Sequence, residues 1–518
     1  MKTQNTMNST ETGRERSWAA QRLRARANTT AARTPSAPRA GGLSARRQLA
    51  VLRNISLALA ALPLAAWGND FTTRIDAFLF QQMEIFDSVR PANQPPLVQT
   101  YAIGKAADPF YAPLYHMGDV YDQALAICYL LERNQIARAS RLADALLFLQ
   151  AHDAIPDGRL HAGYWPNNLL DPQGQYTSVR APDIAAGNMS WAGIALTRTL
   201  LATGEQKYLT GAMKCADWIL QNLKHDDGPG GFSGGLLGWS YEPAGWRSTE
   251  QNIDAFVLAR GLCNLTGDAK WAAMAEHAKQ FVRAMFNTNG YYHTGTLSDG
   301  ITINPSPIPA DGISWTALAG MDAADRANLS LQWLRDHLVV QDQVGTNTFV
   351  GVKFSSTGSH IQSEMTASAA MALFRQGRVS DAQMLLTNLA FIQVAATNSD
   401  GNGIVATPWP DGAPTGFGSS YVNRLHTASS TWTGLAMLVA QGDLAANPLL
   451  PVPGFSVAIG RSGSFVTLSW PGVPFCNYTV SWSTNLVNWT DVPVGQTNQW
   501  IEPLDAAGQK FYQVKQTN

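Results

Sequence analysis

The chain has 518 residues, of which 14% are charged, and it contains 16 Trp and 44 Gly residues. Its length can bury a large core and suggests one large domain with a smaller second one. The low charged fraction and the many aromatic residues argue against a disordered or nucleic-acid-binding chain and favour a secreted globular protein.

The first 68 residues are basic and have the layout of an export signal. They hold eleven of the 37 Lys and Arg residues and two of the 38 Asp and Glu residues, so residues 69–518 carry about −10. Arg46-Arg47 precedes an apolar run, Ile55 to Ala66, that is too short to span a bilayer comfortably. We expect cleavage near Ala66 to Asn69 and export to the periplasm or beyond, and the paired arginines favour the twin-arginine route.

The residues before this signal, 1–45, show no periodicity and are expected to be a disordered extension or an upstream mis-start. We therefore predict that residues 1–68 lie outside the fold. The acidic body that remains does not suit a nucleic-acid partner, and no membrane association is expected after cleavage.

From residue 69 to about 446 the chain repeats a pair of helices. Gly204, Gly267 and Gly377 each end an apolar helix, and a polar residue starts another helix a few positions later. Helices entering these turns are rich in Ala, Gly, Ser and Leu and are predicted at 119–132, 187–202, 249–265, 312–320, 363–376 and 429–441. Helices leaving them are amphipathic and are predicted at 136–151, 205–223, 268–286, 322–338 and 379–393, with an extra helix at 71–88.

Six small-residue helices packed inside six amphipathic ones predict an all-α, closed (α/α)6 toroid, in which the extra first helix completes the last hairpin. An open solenoid would also show repeats, but it would need polar capping ends. The connections from inner to outer helices are a few residues long, whereas the opposite connections are long and function tends to reside in such loops. These long loops are 153–186, 224–248, 287–311, 339–362 and 394–428.

Every long loop delivers the N-terminus of an inner helix to the same end of the toroid. The loops carry an unusual number of aromatic residues, namely Trp165, Trp239, Trp246, Tyr291, Tyr292, Trp409 and Tyr421. We therefore expect a single funnel lined by aromatic rings at that end.

Carboxylates are predicted at the starts of four inner helices. If Ser248 caps its helix and Gln251 closes a capping box, Glu250 lies in the first turn and Asp254 lies one turn later on the same face. The other helix starts bring Asp119, Asp122, Asn188, Trp191, Asp311, Trp315 and Glu364. An acid in a first turn is also favoured by the helix dipole alone, so four independent caps would give the same pattern.

Acids that converge beside aromatic rings suit hydrolysis of a glycosidic bond. One carboxylic acid protonates the leaving oxygen, and a second carboxylate activates water or attacks the sugar. Helix N-termini lower carboxyl pKa values, so the proton donor needs burial or a neighbouring carboxylate. Glu250, with Asp254 near it, meets this requirement.

The segments YDQALAICYLL, STEQNIDAF, DGISWTALAG and SEMTASAAMAL stand at matching points of the repeat. On these motifs and the hairpin count, residues 70–446 resemble the six-hairpin glycosidase superfamily, a group of (α/α)6 toroids that contains many glycoside hydrolases. The resemblance implies the toroid fold and a carbohydrate substrate.

We predict Glu250 as the general acid and Asp311 or Glu364 as its partner, with Asp122 or Asp254 binding substrate hydroxyls. Further substrate contacts are predicted for Asn188, Trp165, Trp191, Trp246, Trp315 and Tyr421. No cofactor is expected, and no His/Cys spacing marks a metal site.

Two alternatives to hydrolysis stay open. One is a polysaccharide lyase or sugar epimerase on the same toroid, for which Tyr421, Arg424 and His426 would supply groups for proton abstraction. The other is a glycan-binding protein without catalytic activity. Oligomeric state is not predicted.

After residue 447 the pattern changes to short alternating strands, predicted at 455–459, 465–470, 478–483, 499–501 and 511–514. We expect residues 452–518 to form a small β-sandwich. SFVTLSWPG, NYTVSWSTNLVNWTDV and KFYQVKQ resemble fibronectin type III modules of secreted bacterial proteins. The four Cys residues do not form a disulfide framework in this pattern, and Cys128, Cys215 and Cys263 are expected to be free thiols inside helices.

Overall fold

A computed structural model describes residues 64–104, 106–453, 458–470, 477–485, 487–503 and 510–517. Residues 1–63, which hold most of the predicted signal peptide, and Cys476 lie outside the described residues. Residues 64–68, predicted to lie outside the fold, instead belong to the first helix, Leu64–Glu84, which also contains the expected cleavage region. Within those residues, no helix combines the length and the apolar character needed to cross a membrane.

Twelve helices of the described residues alternate between two layers. The outer layer contains α1 (Leu64–Glu84), α3 (Ile136–His152), α5 (Gln206–Asn222), α7 (Ala269–Ala284), α9 (Ala324–Leu338) and α11 (Val379–Ala395). The inner layer contains α2 (Val120–Glu132), α4 (Ala186–Thr203), α6 (Thr249–Thr266), α8 (Asp311–Leu318), α10 (Ser363–Arg375) and α12 (Thr427–Ala440). A one-turn helix at Tyr111–Leu114 and a 3-10 turn at Leu444–Ala446 flank this set. The predicted helices are therefore confirmed, and the bounds of α1 differ most from prediction.

The inner helices form a closed ring. Each packs against the next in chain order, and α12 packs against α2. The last inner helix also packs against α1, which makes α1 the outer partner of the final hairpin, as predicted. Glycine permits the close approach inside this ring: a Cβ at Gly193 would lie 2.6 Å from Leu258, and one at Gly434 would lie 2.3 Å from Tyr129. Small residues in the inner helices are therefore a packing requirement.

The long loops form short antiparallel strands at the rim. One sheet joins β1 (Gly118–Asp119), β2 (Gly163–Tyr164) and β3 (Val179–Ala181), and a second joins β4 (Ile184–Ala185), β5 (Gly235–Leu237) and β6 (Glu242–Pro243). Three hairpins follow: β7 (Phe286–Asn287) with β8 (Tyr291–Tyr292), β9 (Val339–Val344) with β10 (Asn347–Val352), and β11 (Ala413–Pro414) with β12 (Ser420–Tyr421).

Backbone pairing links each long loop to the next around the whole rim. In each case the residue at or just before the start of an inner helix pairs with the neighbouring loop. The linked residues are Asp119 with Gly163, Ala185 with Gly235, Ser248 with Gly295, Pro309 with Ser355, Ser363 with Ala406, and His426 with Tyr101. This closed rim of links fixes where each inner helix begins.

The C-terminal region contains two three-stranded sheets. One has β13 (Ala458–Ser462), β14 (Phe465–Ser469) and β17 (Gln499–Pro503), and the other has β15 (Asn477–Ser483), β16 (Thr490–Gly495) and β18 (Phe511–Thr517). Val466, Leu468, Tyr478 and Val480 from both sheets share a small apolar cluster with Trp470. Strand β16 was not predicted. The sandwich, the fibronectin type III assignment and the domain bounds stay predictions. Cys128, Cys215 and Cys263 are free thiols, as expected.

Candidate active site

Capping side chains fix the first turns of four inner helices at the rim. Asp119 caps α2 by accepting the Tyr121 N–H at 2.9 Å. Ser248 caps α6 through the Gln251 N–H at 3.5 Å, as the sequence predicted, but Gln251 does not close the expected capping box, because its side-chain oxygen has no partner among the described residues. Gln362 and His426 cap α10 and α12 in the same way. The first turns, and the acids that they carry, therefore have defined positions.

Four aromatic rings close the centre of the inner ring, and we call Tyr121, Trp191, Trp315 and Trp432 the aromatic floor. They come from α2, α4, α8 and α12, and the centroid of Trp191 lies 5.2 Å from Tyr121, 5.6 Å from Trp315 and 5.9 Å from Trp432. Tyr121 is partly exposed, whereas the three Trp side chains are at most 1% exposed. These rings fill the centre of the inner ring at the end where the inner helices begin.

This burial corrects one prediction. Trp191 and Trp315 were expected to stack on sugar, but neither offers an open ring face. The small residues of the inner helices leave space along the ring axis, and the indoles fill it. Their contribution to a site is to shape its floor.

The six carboxyl groups at the inner-helix starts divide into exposed and buried members. Asp119 and Glu250 are partly exposed. The buried members are 0–3% exposed, and they are Asp122, Asp254, Asp311 and Glu364. On α2 and on α6 an exposed acid therefore precedes a buried one, and we call Asp119/Asp122 and Glu250/Asp254 the stacked acid pairs.

Asp254 is a buried carboxyl group without a hydrogen-bond partner among the described residues. Burial raises its pKa well above the ordinary value, and the neighbouring charges of Glu250 and Asp311 raise it further. The Trp191 indole N–H acts in the opposite direction without forming a hydrogen bond of standard geometry. The protonated form of Asp254 is therefore favoured.

Asp122, on α2, is a second buried carboxyl group with a raised pKa. Burial raises its pKa well above the ordinary value, and the charge of Asp119 and then that of Glu364 add to the effect. Hydrogen bonds from Thr100 and from the backbone of Ala428 oppose this shift. In each stacked acid pair, burial and the charge of the neighbouring acid thus raise the pKa of the deeper carboxyl group.

A directed chain of hydrogen bonds ends at Glu364. The indole N–H of Trp432 donates to the Tyr121 hydroxyl at 2.8 Å, and Tyr121 donates to Glu364 Oε1 at 2.5 Å. Because an indole nitrogen can only donate, the phenol proton must point to Glu364. Burial of the hydroxyl and the charge of Glu364 raise the pKa of Tyr121 well above its usual value, which keeps it a donor. Sequence analysis missed Tyr121.

Asn188, predicted to bind substrate, lies partly exposed between α2 and α6. Its Nδ2 donates to Asp119 Oδ1 at 3.0 Å and to the Ala162 carbonyl at 3.1 Å. Both amide protons are thereby used, so the Asn188 side chain holds Asp119 in place.

No known sequence family and no curated protein sequence matches the chain. Several solved structures, however, superpose on the chain. A variant glycosidase in complex with glucose superposes with a TM-score of 0.51 at 13% identity, over 74% of this chain and 99% of that one. A family 76 glycoside hydrolase from a bovine Bacteroides thetaiotaomicron strain gives 0.51 at 12% identity, over 74% and 79%. A family 76 mannosidase from Bacteroides thetaiotaomicron VPI-5482 gives 0.50 at 8% identity, over 72% and 100%.

The chain has the fold of these glycosidases. At such low identities the similarity concerns the fold alone, and it supports the predicted α/α toroid.

The remaining residues predicted to contact substrate lie in the rim loops. Trp165 is partly exposed, with the Arg180 guanidinium 4.8 Å above its ring. Trp246 is partly exposed and lies against Gly234, where a Cβ would be 2.1 Å from the indole. Tyr421 is buried and packs against Phe354. Trp165 and Trp246 are thus the predicted aromatic contacts that keep an open surface.

His426, a candidate base in the lyase alternative, is buried at the start of α12. Its Nδ1 lies 3.0 Å from the Ser429 hydroxyl, and its ring stacks on Tyr101 with centroids 4.4 Å apart. Arg424 is bonded to Asp108 at 2.6 Å. These contacts give both residues structural roles. Within the described ranges, no group of three or more His, Cys, Asp or Glu side chains is arranged to hold a metal ion.

Proposed function

We propose that this protein is an exported glycoside hydrolase that cleaves a poly- or oligosaccharide by carboxylate general acid/base catalysis. The observation that carries the proposal is the gathering of acid side chains around an aromatic floor, at the one end of the ring where every inner helix begins. The fold shared with solved glycosidases supports the same class of reaction.

Glu250 is the proposed general acid. It is partly exposed in the first turn of α6, and its charge and that of Asp311 act on the buried Asp254. Three carboxyl groups that raise one another's proton affinity do not all ionise easily, so the cluster retains a proton, held on Asp254 one helical turn below Glu250. We propose that Glu250 draws on this proton when it protonates the leaving oxygen. Asp311 and Glu364, the predicted partners, remain candidates for the second carboxylate.

A neutral glycan suits this site better than a uronate polymer. The carboxyl groups already raise one another's affinity for protons, so an anionic sugar ring would be repelled. Two rim arginines are committed to acids of the protein: Arg247 bonds Asp227 at 2.5 Å and the Gly230 carbonyl at 2.8 Å, and Arg424 bonds Asp108. Glucose in one neighbour and mannosidase activity in the name of another make neutral hexosides the first substrates to test.

The test is a reducing-end assay on neutral and acidic glycans with wild type, Glu250→Gln and a control, Glu276→Gln, which changes an exposed acid on α7. We expect wild type and the control to release reducing ends from a neutral glycan. Glu250→Gln should lose about 10²–10⁴-fold in kcat/KM while keeping its fold and its sugar affinity, because only the transferable proton is removed.

Full activity of Glu250→Gln would contradict the proposed acid. A product with ultraviolet absorbance from a new double bond would instead identify a lyase. Binding of glycans without any product would identify a glycan-binding protein.

A further inference from the structure

A catalytic carboxyl group must reach the bound sugar, and this requirement separates the six acids at the helix starts. Asp119 and Glu250 are partly exposed, whereas Asp311 and Glu364, the partners predicted from the sequence, are 3% and 2% exposed. Glu364 is further covered by the Tyr121 hydroxyl that donates to it. Exposure therefore singles out a residue that the sequence had placed only among several candidate acids.

We propose that Asp119 is the second catalytic carboxylate and acts with Glu250 on the same glycosidic bond. The inference rests on the proposed hydrolase function and names the partner that this function requires.

The surroundings of Asp119 suit a fixed, charged carboxylate. Its Oδ1 accepts the Tyr121 backbone N–H at 2.9 Å and the Asn188 side-chain N–H at 3.0 Å. Two N–H donors stabilise the charged form of a carboxylate, which is the form that activates water or attacks carbon. Asn188 is itself held by the Ala162 carbonyl, so the anchor is rigid.

The stacked acid pairs give Asp119 and Glu250 equivalent places in the fold. Each is backed on its own helix by a buried aspartate, Asp122 or Asp254, whose proton affinity it raises. A third carboxyl group lies near each pair, Glu364 beside Asp122 and Asp311 beside Asp254. Asp119 is assigned the charged role because two N–H donors bind its Oδ1 and favour the ionised form, and Glu250 keeps the acid role proposed above.

The ring order places the two residues around one sugar position. Helices α2 and α6 are both neighbours of α4, so Asn188 at the start of α4 lies between Asp119 and Glu250. Tyr121, the exposed member of the aromatic floor, follows Asp119 by two residues. A sugar ring resting above Tyr121 would have the two exposed acids on its flanks.

The proposed chemistry is a complete hydrolysis. The glycosidic C–O bond breaks as the Glu250 O–H proton passes to the leaving oxygen. In one route Asp119 takes a proton from water as the water oxygen bonds to the anomeric carbon, and that proton later returns to Glu250 through solvent. In the other route Asp119 bonds to the anomeric carbon itself, and water then displaces it while giving a proton to Glu250.

Asp119→Asn is the decisive variant because Asn caps a helix as well as Asp does but carries no charge. On the best neutral glycan we expect kcat/KM to fall about 10³-fold, with a Tm within about 2 °C of wild type. Asp311→Asn and Glu364→Gln should cause smaller losses in the same assay.

Azide rescue gives an independent readout. Asp119→Ser keeps a capping hydroxyl and leaves room for azide, so with dinitrophenyl hexosides added azide should restore turnover and form a glycosyl azide. Glu250→Ala should still cleave these substrates, whose leaving group needs no proton. Asp119→Ser keeps the proposal testable if Asp119→Asn folds poorly.

The failures of the two proposals are distinguishable. Wild-type turnover by Asp119→Asn together with an inactive Glu250→Gln would overturn the role of Asp119 alone. Azide rescue of Asp311→Ala or Glu364→Ala, in place of Asp119→Ser, would assign the role to that residue instead. Full activity of both Asp119→Asn and Glu250→Gln would remove the hydrolase mechanism itself.

Discussion

The two ends of the toroid are built from the same twelve helices but are constructed differently. At one end, turns of a few residues join inner to outer helices, and Gly204 and Gly267 terminate α4 and α6 in the left-handed conformation. At the other end, long loops pair with one another around the rim, and the acids and the aromatic floor are found there. A short turn can end a helix, but a long loop is needed to support side chains at its start.

Helix polarity explains why the chemistry lies at the loop end. The first turn of a helix presents N–H groups without partners, and these groups favour carboxylates and capping side chains. All six inner helices begin at this end, so their first-turn acids are forced into proximity. The short-turn end holds the C-termini of the inner helices, where a glycine can end the helix.

Glycine substitutions give the sharpest test of this contrast. Gly295 pairs with Ser248 at the start of α6 with φ 143°, and a Cβ there would lie 1.9 Å from the Arg247 carbonyl oxygen. Gly267, at the short-turn end, has φ 70° and open space around it. Gly295→Ala should lower the free energy of unfolding by at least about 3 kcal/mol and abolish activity, because α6 must move.

Gly267→Ala is the matched control and should cost about 1 kcal/mol, with kcat/KM unchanged, because only backbone strain is added. Urea unfolding and the reducing-end assay measure both quantities. Equal effects of the two substitutions would show that the rim links do not position the acids.

Two tyrosines on α2 test the contrast within a single helix. Tyr121→Phe removes the donor to Glu364 and the acceptor for Trp432, so kcat should fall about 10- to 100-fold. The hydroxyl of Tyr129, two turns later, has one proton to donate and lies 2.9 Å from the Thr72 carbonyl and 2.8 Å from Asp76, away from the rim. Tyr129→Phe should lower the free energy of unfolding by about 1–3 kcal/mol and leave kcat unchanged. A loss of kcat in both variants would mean that Tyr121 acts through stability alone.

The smallest expected effect is a pH-dependent gain in stability. Because the pKa of Asp254 is raised in the folded protein, its contribution to stability is full below the unfolded pKa of about 3.9 and is lost as the pH rises through the folded value. Asp254→Asn removes this loss, so its Tm relative to wild type should increase between about pH 4 and about pH 8. A Tm difference that is constant over this range would argue against the raised pKa.

Local patterns in the sequence were sufficient to predict the helices. Helix periodicity and the terminating glycines act over a few residues, and Ser248 capped α6 as expected. Strand β16 was missed because TDVPVG contains a proline and exposes much of its length, which hides the alternation.

Long-range contacts could not be predicted in this way. The burial of Trp191 and Trp315 depends on closure of the ring, which brings four helices to one axis. The contact between Tyr121 and Glu364 joins residues 243 positions apart. Spacing placed Asp119 and Asp122 in one motif, but only the folded chain distinguishes the exposed residue from the buried one. The one local signal for Tyr121 was its position two residues after the capping Asp119.

The closed set of backbone links around the rim has a consequence for variation. Since each loop is clamped to its neighbour at the point where a helix starts, the outward part of a loop can change without disturbing that clamp. The turn between β5 and β6, which carries the 67% exposed Trp239, is such a segment. Under the proposed function, we expect exchange of such turns to change sugar selectivity without moving the acids at the helix starts.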